Sequence, residues 1–218
     1  MISPAGIVVP APQIVLASAS PARAMLLRSA GIPFQVHASD VDEDALTAEL
    51  GAAAAVADIV RVLAQAKAEA IAERLAVTEP TIVIGCDSML EFEGRAYGKP
   101  LSAEVATARW QLMRGCSGLL HTGHHVIYVD ASGVRSTGSV VSTQVDFEQV
   151  SDEEIAAYVA TGEPLQVAGA FTLDAKGAAF IRGVTGDHAN VVGLSIAALR
   201  RLLAELGVAW TDLWRPLP

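Results

Sequence analysis

The alternation of apolar and polar residues along the chain predicts helices and strands in turn. Short apolar runs at 14–17 and 81–85 are typical of buried strands, and residues 34–39 have an extended pattern. A stripe of apolar residues at helical spacing predicts a long helix over 53–75. Because the two element types alternate, the pattern favours an α/β fold, with an elongated mixed sheet flanked by helices.

Turn and capping residues predict the other boundaries. Ser20 before Pro21 is typical of a helix start, and Gly31 of its end. Ser151 and Glu154 form a capping-box pattern that opens a helix to about 160. We further expect a hairpin over 88–98 turning at 93–94, a helix from 102 to 115, strands at 125–129, 134–147 and 178–181, and a helix at 195–206.

These elements predict one domain over 13–209, preceded by a flexible lead-in at 1–12 and followed by a C-terminal tail at 210–218. No apolar run approaches the ~20 residues that span a bilayer. The N-terminus has no basic segment of the kind that begins a signal peptide. We therefore expect a cytoplasmic protein without a membrane partner.

The amino-acid composition and the net charge limit the classes of function that this chain can have. Hydrophobic residues make up 52% of the 218, which is ample for a core. The net charge of −9 argues against non-specific nucleic-acid binding, which needs a positive surface. A few Arg and Lys residues with a divalent metal can still hold a triphosphate in an acidic protein. Cys86 and Cys116 lie beside apolar segments, so we expect both to be reduced and buried.

Asp87 is the first candidate for chemistry, because it directly follows the predicted strand at 81–85. Ligands gather beyond the carboxyl ends of strands in open α/β sheets, and a carboxylate there binds a cation or accepts a proton from water. The alternative is an Asp that caps a turn.

The segment SASPAR, from Ser18 to Arg23, predicts an anion site at a helix N-terminus. An ordinary N-cap with a solvated arginine explains that segment equally well.

Several further charged groups have two interpretations each. Lys67 falls on the apolar stripe of the helix at 53–75, where a lysine either snorkels to water or meets a negative partner such as a phosphate. Lys99 in YGKP is typical of a surface position. The acidic run at 40–44, including Glu43, offers oxygen ligands for magnesium but is more typical of a solvated face.

Two motifs remain without an assigned role. The histidines of HTGHH, His121, His124 and His125, lack an evident third metal ligand, and we interpret them as ordinary loop and strand residues. The segment GVTGDHANVVG at 183–193 is glycine-punctuated but matches neither a Walker A nor a GxGxxG pattern. The chain also lacks the HExxH and GxSxG motifs.

Taken in order, these segments resemble the Maf family of nucleotide pyrophosphatases over about 14–206. The resemblance rests on LASASPARAMLL at 16–27, VDE at 41–43, LAQAKA at 63–68, IGCDS at 84–88, YGKP at 97–100, SDEEIAAYVATGEP at 151–164, AGAF at 168–171 and GDHANVVGLS at 186–195. It implies two lobes with a cleft between them, possible homodimers, and Mg²⁺ or Mn²⁺ as cofactor. The implied reaction cleaves a non-standard or pyrimidine nucleoside triphosphate into the monophosphate and pyrophosphate.

The resemblance also implies roles for individual residues. Asp87 matches the family's catalytic carboxylate, which accepts a proton from the attacking water, and Glu43 matches a metal-binding acidic position together with Asp87. The groups that match phosphate-binding positions are Ser18, Arg23, Lys67 and Lys99. Three positions that resemble specificity determinants depart from the usual pattern: Ala22 in place of Arg, Ser88 in place of Thr and Asp174 in place of Gln.

A second interpretation is a nucleotide-binding regulator of septum formation that acts without turnover. The presence of Asp87, Lys67 and Lys99 favours catalysis, because a sensor has no need of a base. An enzyme for another phosphate-bearing ligand is a third class, and no motif favours it.

Overall fold

A computed structural model describes residues 11–75 and 78–214. In this part of the chain a mixed seven-stranded sheet is flanked by helices, so the predicted α/β class is confirmed. The strands are β1 (Gln13–Leu16), β2 (Gln35–Val36), β3 (Thr81–Phe92), β4 (Arg95–Tyr97), β5 (Ser117–Asp130), β6 (Gly133–Phe147) and β7 (Ile181–Thr185). The helices are α1 (Pro21–Ser29), α2 (Glu43–Leu50), α3 (Val56–Arg74), α4 (Ala103–Met113), α5 (Asp152–Ala160), α6 (His188–Val192) and α7 (Ile196–Glu205), with 3-10 helices at Glu163–Gln166, Ala168–Ala170, Lys176–Phe180 and Trp210–Trp214.

The strand order is β2-β1-β3-β5-β6-β7, with β4 paired to β3 as a hairpin. β1 is parallel to β2 and β3, and every other pairing is antiparallel. The parallel pairing of β1 with β3 ends at Leu16 and Ile84, but β3 continues to Phe92. The prediction that Asp87 lies at a strand tip is therefore wrong: Asp87 lies inside β3, opposite Gly123 of β5, just beyond the parallel part of the sheet.

Alternate residues of β3 point to opposite faces of the sheet. On one face, which we call the Asp87 face, Val83 packs against Ala68 and Ile71 of α3. On the other, the Ser88 face, lie two larger clusters. One cluster is mainly aliphatic and joins β1 and the first half of β3 to α1 and α7. The other is rich in aromatic rings and joins the second half of β3 to α4 and α5. The core is thus divided between the two ends of the sheet.

Two glycines let α3 lie directly on the sheet. A Cβ at Gly85 would stand 2.1 Å from the Ala64 carbonyl oxygen, and a Cβ at Gly123 would stand 2.1 Å from that of Val60. Both contacts are far shorter than side chains tolerate, so any other residue would push the helix away. The α3 axis therefore crosses the Asp87 face over these two positions.

Several boundaries differ from the sequence prediction. The hairpin turn at 93–94 is confirmed, with positive φ at Glu93 (49°) and Gly94 (72°). α2 and α6 were not predicted, because α2 buries no residue and α6 has only five residues, so neither shows an apolar stripe. β5 begins at Ser117 rather than 125, and the strand predicted at 178–181 is mostly a 3-10 helix that precedes β7.

At the ends of the chain, the predicted lead-in falls largely outside the described residues. Trp210–Trp214, part of the predicted tail, is a 3-10 helix whose Leu213 is buried in the aliphatic cluster. Within 11–75 and 78–214 we find no helix that combines the length and the apolar character needed to cross a bilayer.

Candidate functional site

Asp87 and Lys67 form a buried ion pair on the Asp87 face. Lys67 Nζ lies 2.6 Å from Asp87 Oδ1, and the two side chains are only 9% and 8% exposed. The same ammonium lies 2.7 Å from Oε1 of Glu43, at the start of α2, whose side chain is half exposed. Of the two interpretations for Lys67, meeting a negative partner is therefore confirmed and snorkelling to water is wrong.

The two oxygens of Asp87 have different surroundings. Oδ1 accepts the Lys67 hydrogen bond, whereas Oδ2 is buried and has no hydrogen-bond partner within the described residues. Burial raises the pKa of Asp87, and the charges of Lys67 and Arg23 oppose that rise. An unsatisfied buried acceptor costs about 1–3 kcal/mol. Oδ2 is therefore the atom of this site with spare capacity to accept a proton or bind a cation.

Arg23 is held by internal hydrogen bonds on the Ser88 face. Its Nε donates to the Gly193 carbonyl at 2.8 Å, one terminal nitrogen donates to Ser18 Oγ and to the Cys86 carbonyl at 2.9 Å each, and the other donates to Ser88 Oγ at 3.0 Å. A guanidinium has five N–H donors, so four of them are engaged. Arg23 thus ties α1 and the loop after α6 to β3.

A chain of polar side chains continues from Ser88 across the same face. Ser88 Oγ is 2.9 Å from Thr122 Oγ1, which donates to the Asn190 carbonyl at 3.0 Å. The Asn190 amide is fully buried and donates to the Leu120 carbonyl at 3.2 Å and to Thr143 Oγ1 at 3.0 Å. This network connects β3, β5, β6 and α6.

The motif GDHANVVG supplies the other end of that network. Asp187 caps α6 by accepting from the backbone N–H groups of Ala189 and Asn190, and it also accepts from Ser195 Oγ. The sequence analysis singled out the segment without assigning it a role. The missed signal is Asp187 itself, because Asp is a favoured N-cap residue.

The other predicted site residues do not join these contacts. Lys99 and Asp174 are exposed, and Ala22 is half-buried on α1. Lys99 forms no ion pair with any residue that the structure describes. The structure joins the remaining residues in two separate groups: Ser18, Arg23 and Ser88 on the Ser88 face, and Glu43, Lys67 and Asp87 on the Asp87 face.

The donor set fits a magnesium or manganese ion that also takes substrate oxygens. Asp87 and Glu43 converge on one cationic group, the Lys67 ammonium, and Asp87 Oδ2 is unsatisfied. Across 11–75 and 78–214, no group of three or more His, Cys, Asp or Glu side chains is arranged to hold a metal ion. Magnesium is commonly held by one or two carboxylates plus substrate phosphates, which matches this pair.

A cavity of about 380 Å³ lies between α3 and the loop before α2, and neither Asp87 nor Lys67 lines it. Its lining carries two carboxylates, Asp40 and Glu73, and one guanidinium, Arg74. Arg74 is already paired with Asp40 at 2.7 Å. The lining is therefore poorly suited to a triphosphate.

All three histidines of HTGHH lie on β5. His121 is buried between Ser142 and Glu91, on the Asp87 face. His124 Nε2 accepts a hydrogen bond from the Ser195 backbone at 2.9 Å, and burial lowers the pKa of His124 to about 4. His124 is therefore neutral near pH 7, with its proton on Nδ1.

The two cysteines differ in exposure. Both are free thiols. Cys86 is buried as expected, and burial raises its pKa to about 11. The prediction for Cys116 is wrong, because this residue is exposed. It lies between the Gly115 turn and the start of β5, where residues 115–117 are all exposed.

Comparison with known proteins shows to which family the chain belongs. The family model for Maf-like protein matches residues 13–206. A protein of Streptomyces coelicolor named nucleoside triphosphate pyrophosphatase is 54% identical over 207 residues, which cover 95% of this chain and 97% of the relative. Proteins of the same name from Salinispora tropica and Cyanothece sp. are 50% and 48% identical, covering 93% of this chain and 87% and 99% of the relatives. The chain belongs to the Maf-like protein family.

Proposed function

We propose that the protein hydrolyses a nucleoside triphosphate between its α- and β-phosphates, giving the nucleoside monophosphate and pyrophosphate. The observation that carries this proposal is the buried Asp87 carboxylate, with Oδ1 held by Lys67 and Oδ2 unpartnered. Relatives of about 50% identity over nearly the whole chain bear the name of that activity.

In this reaction Asp87 accepts a proton from water as the water oxygen bonds to the α-phosphorus. The bond from that phosphorus to the bridging oxygen breaks, and pyrophosphate leaves. The burial that raises the pKa of Asp87 makes it a stronger base than an ordinary carboxylate. Lys67 keeps the carboxylate in one orientation and supplies positive charge near the developing negative charge.

Asp87 and Glu43 would hold a divalent metal, Mg²⁺ or Mn²⁺, together with oxygens of the substrate. Such a metal neutralises phosphate charge. Lys99 and Arg23 are the further candidates to bind phosphates; Lys99 is exposed, and Arg23 is engaged in four hydrogen bonds. A cytoplasmic location and a homodimer are part of the same proposal.

Product analysis tests this function. The protein is incubated with a panel of nucleoside triphosphates and Mg²⁺ or Mn²⁺, and the products are separated by ion-exchange chromatography. We expect monophosphate and pyrophosphate in equal amounts. Diphosphate and orthophosphate would contradict the proposal, because they require cleavage at the next phosphorus. Removal of the metal with a chelator should stop turnover.

A further inference from the structure

The edge of β3 that faces away from β5 is covered by two strands with a gap between them. β1 pairs with residues 81–84 and runs parallel to β3, so its C-terminal end points into the gap. β4 pairs with residues 90–92 and runs antiparallel, so its C-terminal end points into the gap from the other side. Among the described strands, neither β1 nor β4 pairs with residues 85–89. The paired residues Ile84 and Leu90 are about 20 Å apart at the usual strand rise.

The two chain segments that enter this gap carry candidate phosphate-binding residues. Ser18 and Arg23 follow β1, and Arg23 donates to the carbonyl of Cys86, which lies within the gap, at 2.9 Å. Lys99 follows β4, two residues beyond its last residue, Tyr97. The chain directions therefore bring Lys99 towards the gap from the side opposite Ser18 and Arg23.

The backbone just before Lys99 is held from two sides. A terminal nitrogen of Arg109, on α4, donates to the Gly98 carbonyl at 2.5 Å. The same carbonyl accepts a second hydrogen bond from the Gly169 N–H at 3.2 Å. The Arg109 guanidinium also lies over the Tyr97 ring, with its carbon 5.2 Å from the ring centre, which is a cation–π contact. Residues 98–101, which we call the Lys99 loop, are thus tied to α4 and to the segment at 168–170.

The backbone just after Lys99 is strained. Leu101 has a φ of 63°, in the left-handed region that side chains other than those of Gly, Asn and Asp rarely adopt. Its side chain is 66% exposed, so burial does not offset the strain. The Leu101 N–H donates to the Leu165 carbonyl at 3.0 Å. Such strain persists where surrounding contacts impose it, and it clusters at ligand-binding sites.

The contacts of Arg109 indicate what it does. Arg109 is half-buried, and it forms no ion pair with a carboxylate anywhere in 11–75 and 78–214. Neutralising an acidic side chain therefore does not explain this arginine. Its hydrogen bond and its ring contact go to two adjacent residues, Gly98 and Tyr97, directly before Lys99.

We propose that Arg109 is a positioning residue that holds the Lys99 loop at the gap, so that the Lys99 ammonium meets substrate phosphates opposite Ser18 and Arg23. The inference rests on the proposed function for the nature of the ligand. Arg109 acts through the Gly98 carbonyl and does not itself touch the substrate. A loop that is already ordered loses less conformational freedom when the phosphates bind, so the affinity is higher.

A double-mutant cycle tests whether Arg109 acts through Lys99. Arg109→Met removes the donor but keeps an unbranched side chain, and Lys99→Met removes the ammonium. We expect Arg109→Met to lower kcat/KM for the best triphosphate about tenfold, mainly through KM, which is typical of one hydrogen bond from a charged group. Added to Lys99→Met, the same substitution should change kcat/KM less than twofold. A tenfold loss in both backgrounds would overturn the inference.

Two further variants distinguish positioning from general packing of α4. Arg109→Lys keeps one donor for the Gly98 carbonyl and should recover part of the loss. Arg114, at the end of α4, also bonds a backbone carbonyl, that of Val150, and pairs with Asp152. Arg114→Met should leave kcat/KM unchanged, and thermal unfolding shows whether the two Met variants are equally stable. Equal losses of kcat/KM in Arg109→Met and Arg114→Met would contradict the proposal.

Hydrogen exchange separates this inference from the proposed function, because it needs no turnover. The Leu101 and Gly169 amides both bond backbone carbonyls at the ends of the Lys99 loop contact. Arg109→Met should speed their exchange about tenfold, as measured by mass spectrometry of peptides, and Arg114→Met should not. If wild type hydrolyses no triphosphate, the proposed function fails, and these amides still show whether Arg109 holds the loop. Unchanged exchange at both amides in Arg109→Met would overturn the inference.

Discussion

The two faces of the central sheet differ sharply around neighbouring residues of β3. On the Ser88 face, Arg23 uses four donors, and Ser88, Thr122 and Asn190 are joined in one network. On the Asp87 face, the cluster consists of Asp87, Lys67 and Glu43, with one carboxylate oxygen left without a partner. Buried atoms without a partner occur on both faces of the described sheet, but on the Ser88 face they belong to the neutral side chains of Asn190 and His124, whereas beside Lys67 the atom is a carboxylate oxygen.

We infer from this difference that the Ser88 face stabilises the structure and that the Asp87 face carries the reactive groups. A hydrogen-bonded network that is nearly complete stabilises one geometry, and it has little capacity left for a ligand. A buried carboxylate with a free oxygen raises the energy of the protein and gains most when a proton or cation arrives. We therefore expect substitutions on the Asp87 face to change turnover, and those on the Ser88 face to change stability.

The largest expected effect is on the Asp87 face. Asp87→Asn keeps the size of the side chain but removes the basic oxygen. General-base catalysis contributes about a hundred- to ten-thousandfold, so kcat should fall by that range. Steady-state release of pyrophosphate measures it. Activity like that of wild type would refute Asp87 as the base, provided that the variant retains its circular-dichroism spectrum.

The second prediction concerns the Ser88 face, where a substitution of Arg23 disrupts the polar network. Arg23→Lys retains the positive charge but loses the planar fork that reaches Gly193, Cys86 and Ser88 at once. We expect the free energy of unfolding to fall by about 3 kcal/mol in urea titrations. Arg28→Lys is the matched control on the same helix, because Arg28 lies over the Phe34 ring and contacts no strand of the network. If Arg23→Lys instead raises KM with unchanged stability, Arg23 is chiefly a phosphate ligand.

Much of the fold follows from local pattern. The stripe that predicted α3, the Ser20 and Ser151 caps and the turn at Glu93 are features of a few adjacent residues, and each lies where the sequence predicts it. β5 was predicted too short because its missed part, 117–124, contains two histidines and two glycines. Those residues make up a strand only because both of its neighbours and α3 pack against it.

The sequence predicted some members of the candidate site, but not its geometry, and the predicted Lys99, Ala22 and Asp174 do not join its contacts. A lysine on an apolar stripe and an aspartate after a buried run each signalled a special role, and the structure joins them. The partition of Asp87 and Ser88 between faces depends on β3 continuing as a strand through both residues. That continuation depends on pairing with β5, which is distant in sequence, so no local pattern reveals it.

The third prediction concerns the pH dependence of kcat/KM. The carboxylate form of Asp87 is the base, so kcat/KM should fall about tenfold for each pH unit below the pKa of Asp87. Because burial raises that pKa above the ordinary value of 3.8, the fall should begin at a higher pH than for an exposed aspartate. A midpoint at or below 3.8 would contradict this.

The same raised pKa has a consequence for stability. When the pKa is higher in the folded state, ionisation opposes folding, so this contribution is present below the unfolded pKa and is lost as pH rises through the folded one. Near-ultraviolet circular dichroism at each pH separates loss of activity from loss of structure.

The smallest expected effect concerns the two thiols, which report on how tightly the Ser88 face is closed. Cys86 lies on that face with its carbonyl bonded to Arg23, and a pKa of about 11 leaves very little thiolate at pH 8. Cys116 is exposed. Iodoacetamide at pH 8 should therefore modify Cys116 and leave Cys86 intact, as peptide mass spectrometry would show. Arg23→Lys should raise the rate at Cys86 and leave that at Cys116 unchanged. Equal rates at both thiols in the native wild type would mean that the Ser88 face opens readily and is not the rigid support.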